Sequence, residues 1–141
     1  MNYSSIKSFH DLAVGDVWEE HFEITEHLVE DFIHLTGDTA PIHVDEKHAL
    51  SMGYDRPIVH GLLVTSLFSR ILGMNLPGPN SVIHQLKTEM KRPTYIGDKL
   101  NYFVEVTRVS SSVKSVVLSL KITNDHGDIV NTGEATCIYR R

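Results

Sequence analysis

Between Gly61 and Ile71 the chain reads Gly-Leu-Leu-Val-Thr-Ser-Leu-Phe-Ser-Arg-Ile, with its single charge, Arg70, near the C-terminal end. At 3.6 residues per turn the apolar positions 62, 63, 64, 67, 68 and 71 reach nearly every side, so a helix here needs cover around most of its circumference. Gly73 and Pro77 are expected to end it. After Pro79 the periodicity changes. Ser81 to Met90 reads as a strand, Tyr102, Val104 and Val106 alternate with Phe103, Glu105 and Thr107, and Val116 to Ile122 alternates likewise. Asn124 to Asp128 is a turn that tolerates positive φ, and a last strand follows from Ile129 to Tyr139. A buried helix followed by a long meander of antiparallel hairpins predicts an α+β fold, with the sheet wrapped around the helix.

The N-terminal third supplies the remaining elements. Val17 to Ile24 reads as a first strand, and Thr25 is a good N-cap for a helix whose inner face is Leu28, Val29, Phe32, Ile33 and Leu35. Gly37 is placed to end that helix. A shorter one is expected after Asp45, turning Ala49 and Met52 inward and stopping at Gly53.

At 141 residues, with 41% hydrophobic and 22% charged, the chain reads as one domain spanning 1–141. The net charge of −5 argues against nucleic acid as the main partner. Its one cysteine, Cys137, excludes an intrachain disulfide and reads as a buried thiol. Met1-Asn2-Tyr3-Ser4-Ser5 does not resemble a secretory signal, and no apolar run approaches the ~20 residues of a membrane span, so a cytoplasmic location is expected.

Two segments carry candidate chemistry. In Gly37-Asp38-Thr39-Ala40-Pro41-Ile42-His43 a carboxylate and an imidazole stand five positions apart. Pro41 fixes its own φ and restrains Ala40, so the intervening loop is expected to be stiff. Such a pair suits acid–base work on water; by spacing alone, a loop-capping aspartate and a packed histidine serve equally well. In Arg56-Pro57-Ile58-Val59-His60-Gly61, backbone N–H groups at a helix start, with no side chain at Gly61, suit an oxyanion. Tight packing at a helix start is the alternative.

Taken together, Phe32, Gly37-Asp38, Pro41-Ile42-His43, Asp45, Ala49, Gly53-Tyr54 and Pro57-Ile58-Val59-His60-Gly61 resemble the MaoC-like (R)-specific enoyl-CoA hydratases. The resemblance continues through Ser66-Leu67-Phe68-Ser69, Leu76-Pro77-Gly78, Pro93 and Gly97-Asp98. It implies a hotdog fold, a homodimer with the active site near its interface, and hydration of trans-2-enoyl thioesters or the reverse 3-hydroxyacyl dehydration. It further implies Asp38 and His43 as the catalytic pair, Gly61 as the N–H that receives the thioester carbonyl oxygen, and Ser69 as support for the active-site loop. The substrate partner would be an acyl-CoA or acyl carrier protein thioester, with no metal and no redox cofactor. One departure stands out. Where the family commonly carries Asn before the proline, this chain has Ala40, whose methyl cannot replace an amide's hydrogen bonds.

The rival enzyme is a hotdog thioesterase, many of which carry an acidic residue on the central helix; none lies between Gly61 and Gly73. A non-catalytic thioester-binding subunit is the other alternative, supported only by Ala40. Despite nine histidines, no zinc-ligand spacing is present, and no dinucleotide-binding glycine motif follows a strand. Lys87, Lys91 and Arg92 are candidates to meet a nucleotide phosphate or an acidic carrier, solvated charges being the alternative. The acyl pocket is expected against the buried helix, on the side of Leu63 or Leu67.

Overall fold

A computed structural model describes residues 8–140; the Met1–Ser5 segment and the last residue lie outside it. Strands β1 (Val17–Glu23), β2 (Ser81–Met90), β3 (Lys99–Ser110), β4 (Ser115–Asn124) and β5 (Ile129–Tyr139) form one antiparallel sheet. Its spatial order is β1-β3-β4-β5-β2. Helices α1 (Glu26–Thr36), α2 (Pro41–Val44), α3 (Glu46–Ser51) and α4 (Gly61–Met74) all fall between β1 and β2 in the chain.

The period-two strands turn one face onto α4. Leu100, Tyr102, Val104 and Val106 of β3 are buried on one face with Val116, Leu118, Leu120 and Ile122 of β4 and with Ala135, Cys137 and Tyr139 of β5. Helix α4 answers with Leu63, Val64, Phe68, Ile71 and Leu72. Phe68 is fully buried and meets the Tyr102 ring edge-on at 5.0 Å, while the Tyr102 hydroxyl donates to the Val64 carbonyl at 2.7 Å. Burying one such aromatic or aliphatic side chain stabilises by roughly 1.5–3 kcal/mol, so this column dominates the fold's energetics.

Contacts from α4 reach both sheet edges. Arg70 pairs with Glu20 of β1 at 3.0 Å, and Gly61 abuts Met90 of β2. The sheet therefore curves around the helix, which is the hotdog arrangement.

Four expectations need correction. β2 does not form a hairpin with β3: it pairs with β5 at the far edge, while β3 pairs with β1. The connecting segment 91–98 crosses the start of α4 instead, tied there by Val59 N–H donating to the Thr94 carbonyl at 2.7 Å. Helix α4 passes through Gly73 and ends at Met74, because the last turn buries Ile71 and Leu72 and thereby outweighs glycine's cost of about 1 kcal/mol. Met52 is 60% exposed: α3 has already ended, and Met52 is its C-cap rather than part of its inner face. Finally, Leu35, expected on the apolar face of α1, is 82% exposed. Helix α4 keeps one side open, as expected of a helix that one copy's sheet covers only in part. Leu62 is 68% exposed and Met74 54%, along one open side that also carries Ser66, Ser69 and Arg70. Among the described residues no helix is long and apolar enough to cross a membrane.

Candidate active site

Thr25 caps α1, its hydroxyl accepting from Leu28 N–H at 3.2 Å, and the helix ends where Gly37 adopts φ +72°. That left-handed residue turns the chain so that Asp38 follows immediately beyond the helix. The Asp38 carboxylate accepts from Ala40 N–H at 3.1 Å, and the Thr36 hydroxyl accepts from Asp38 N–H at 3.2 Å. The acid is thus held by backbone, and Ala40 contributes its own N–H to that hold.

The stretch read as a loop becomes one helical turn after Ala40. Pro41 opens α2, as its fixed φ and missing N–H suit a first helical position. The turn carries His43, whose Nδ1 lies 2.7 Å from the Ile58 carbonyl. A carbonyl only accepts, so Nδ1 holds the proton and Nε2 presents a lone pair. Ile58 is itself tied back, donating its N–H to the Ile42 carbonyl at 3.2 Å.

His60 joins these two groups. It is 2% exposed, its Nε2–H donates to the Asp38 carbonyl at 2.9 Å, and its ring stacks on His43 at 3.9 Å between centroids. Phe32 packs against it at 4.9 Å. One ligand-capable atom each from Asp38, His43 and His60 lie within 4.8 Å of one another. His60 Nε2 spends its proton on the Asp38 carbonyl, while the lone pair at His43 Nε2, close to the Asp38 carboxylate, suits proton transfer.

Helix α4 begins beside this cluster. No side chain caps it, and its first backbone acceptor is used only by Val64 N–H, leaving the N–H groups of the first turn free for a ligand. A cleft of about 240 Å³ opens there, lined by His43, Tyr54, Gly61, Val64, Met90 and Asn131 among others. Lys91 and Arg92 also border it. Lys87 does not, and instead edges a separate groove with Glu89 and Glu134. On α4 it is Gly61 and Val64 that face the cleft; Leu63 is in the core, and neither it nor Leu67 lines the cleft.

The structure therefore brings Asp38, His43 and Gly61 to one place. Ser69, two turns further along α4, is exposed and does not line the cleft. Two residues of the site had been given no role in the sequence reading. His60 was visible as a histidine just before a buried helix. Asn131 shows its signal only once the phase of β5 is known, as a polar residue in line with the inward-facing Ala135, Cys137 and Tyr139.

A hotdog sheet with an acid–histidine pair at the start of its central helix defines a class of proteins acting on acyl thioesters. The family model described as MaoC like domain matches residues 16–126, and the chain belongs to that family. It is 38% identical over 104 residues to an (R)-specific enoyl-CoA hydratase of Aeromonas caviae, covering 74% of this chain and 78% of the relative. It is 31% identical over 140 residues to a mitochondrial 3-hydroxyacyl-[acyl-carrier-protein] dehydratase of Arabidopsis thaliana, covering 97% of this chain and 83% of that one. Among solved structures, the (R)-hydratase from A. caviae involved in PHA biosynthesis superposes with a TM-score of 0.85 at 33% identity, over 92% of this chain and 98% of its own.

Proposed function

We infer that this chain is a hydro-lyase that adds water to trans-2-enoyl thioesters to give (R)-3-hydroxyacyl thioesters, or runs the reverse dehydration. The observation that carries this reading is a chain of neighbours: Asp38 lies within 4.8 Å of His43, and His43 lines one cleft together with the uncapped start of α4. With the thioester carbonyl oxygen at Gly61 N–H, electron density drawn toward that oxygen leaves C3 open to attack. Asp38 and His43 hold the water between them. One proton leaves the water as its oxygen bonds to C3, and one proton is returned to C2, so the elements of water are conserved.

The relatives' names support the reaction class, and they support both coenzyme A and acyl carrier protein as carriers. Lys91 and Arg92 at the cleft offer positive charge to either carrier's phosphate. A thioesterase is disfavoured, because α4 supplies no carboxylate to the cleft. The open side of α4 and the exposed apolar residues Val82 and Leu86 on the edge strand β2 support a homodimer formed through that part of the molecule. The lone, buried Cys137 is in keeping with a reducing compartment, and we place the protein in the cytoplasm.

The test is incubation with crotonyl-CoA while following loss of the enoyl absorbance, with chiral analysis of the product. The expected product is (R)-3-hydroxybutyryl-CoA. Free coenzyme A without the hydroxyacyl product would establish the thioesterase instead, and thioester binding without turnover the non-catalytic subunit.

A further inference from the structure

Asn131 is 1% exposed and lines the cleft, on the face of β5 that looks toward α4. Its Nδ2 donates to the Thr65 hydroxyl at 3.3 Å, and its Oδ1 has no hydrogen-bond partner among the described residues. Turned end for end, the amide would bond Thr65 equally well and leave its NH2 group free, so one polar end is unmatched in either orientation. An unpaired buried amide is costly, and a site that keeps one discriminates against ligands that cannot pair with it.

The position of Asn131 along the cleft says which part of a thioester it would meet. Gly61 and His43 mark the end where the reacting carbons lie. Lys91 and Arg92 border the same cleft, and both donate their backbone N–H groups to the carbonyl of Val130, the residue next to Asn131. Asn131 is thus tied through Thr65 to the first turns of α4 and through Val130 to the basic pair, on the wall that joins them. A carrier's pantetheine arm must run along that wall from sulfur to phosphate, and its first amide comes two carbons after the sulfur. We propose that the free amide end of Asn131 is the hydrogen-bond partner of the first pantetheine amide, which makes it a carrier-side binding residue that sets the thioester's depth in the cleft. This rests on the thioester reading above.

The alternative source of a donor is a hydroxyl on the acyl chain, and three saturated probes separate the two. They are butyryl-N-acetylcysteamine, which keeps the amide; S-pentyl butanethioate, which replaces it with hydrocarbon; and 4-hydroxybutyryl-N-acetylcysteamine. None can be hydrated, so affinities from NMR titration do not depend on turnover. Wild-type protein should prefer the first over the second by about 10-fold, the scale of one buried hydrogen bond. Asn131→Leu, close in shape and apolar, should fold, since Thr65 can bond back to its own helix, and should lose the preference. The third probe should bind like the first in both proteins.

Equal binding of the first two probes by wild type overturns the proposal, as does a preference that survives in Asn131→Leu. A preference for the hydroxylated acyl group that disappears in Asn131→Leu reassigns the amide to the acyl chain and also overturns it. Absence of crotonyl-CoA hydration with the amide preference intact would instead sink the hydratase reading alone.

Discussion

Replacing Gly61 by proline deletes one N–H, the group proposed to hold the thioester oxygen, and the structure indicates that the backbone accommodates the change. Gly61 is the first residue of α4, where proline is tolerated. The preceding residue, His60, already has φ −55° and ψ 121°, within the extended region that a following proline requires. Among the described residues no acceptor takes the Gly61 N–H, so no hydrogen bond among them is lost. An added Cβ meets Met90 first: at Gly61 it would stand 2.7 Å from the Met90 Sδ and 2.8 Å from its Cε. Met90 is 54% exposed and its end is flexible, so it can swing away. Gly61→Ala imposes the same push but keeps the N–H, and is the control. Loss of one oxyanion donor lowers turnover by about 10²–10³-fold, so Gly61→Pro should fall that far below wild type and Gly61→Ala by less than about 10-fold. Circular dichroism would confirm both folds, and initial rates on crotonyl-CoA would rank them. A folded Gly61→Pro protein as active as Gly61→Ala would show that this N–H takes no part.

Three further outcomes are expected. Light scattering should give twice the 15.9 kDa chain mass, and a fully active monomer would refute the dimer. Burial, opposed by a weaker hydrogen bond with Ser81, pushes the Cys137 thiol up from 9.0 to about 11, so Ellman's reagent at pH 8 should label it only after unfolding. Across that window the folded chain keeps a proton that the unfolded chain releases. Stability therefore falls as pH rises from about 9 to about 11, and urea midpoints should show less loss in Cys137→Ala.

Periodicity made most of this fold legible. The alternation of Tyr102, Val104 and Val106 and the all-round apolarity of Gly61–Ile71 announced a helix against a sheet. Strand order was not legible, because pairing β2 with β5 rather than β3 depends on where segment 91–98 is tied, a contact between distant residues. Asp38, His43 and Gly61 were identifiable from local spacing and resemblance. The role of His60 was not, since it lies in the Nε2 bond to the Asp38 carbonyl, 22 residues away in the chain. Asn131 was missed for a similar reason: a polar residue in a strand is unremarkable until its neighbours are known to face the core. The open side of α4 agrees with the reading that one copy's sheet covers the helix only in part.

In the proposed mechanism Asp38 and His43 act together on water. Asp38→Asn keeps an oxygen for Ala40 N–H, and His43→Gln keeps a side chain able to donate to Ile58, so both should fold. The decisive measurement is the turnover number of each on crotonyl-CoA, at a pH where the wild-type rate is maximal. Each should fall by at least about 10²-fold, the usual scale for an acid–base group, with thioester binding little changed. Near-wild-type turnover in either variant would contradict the claim.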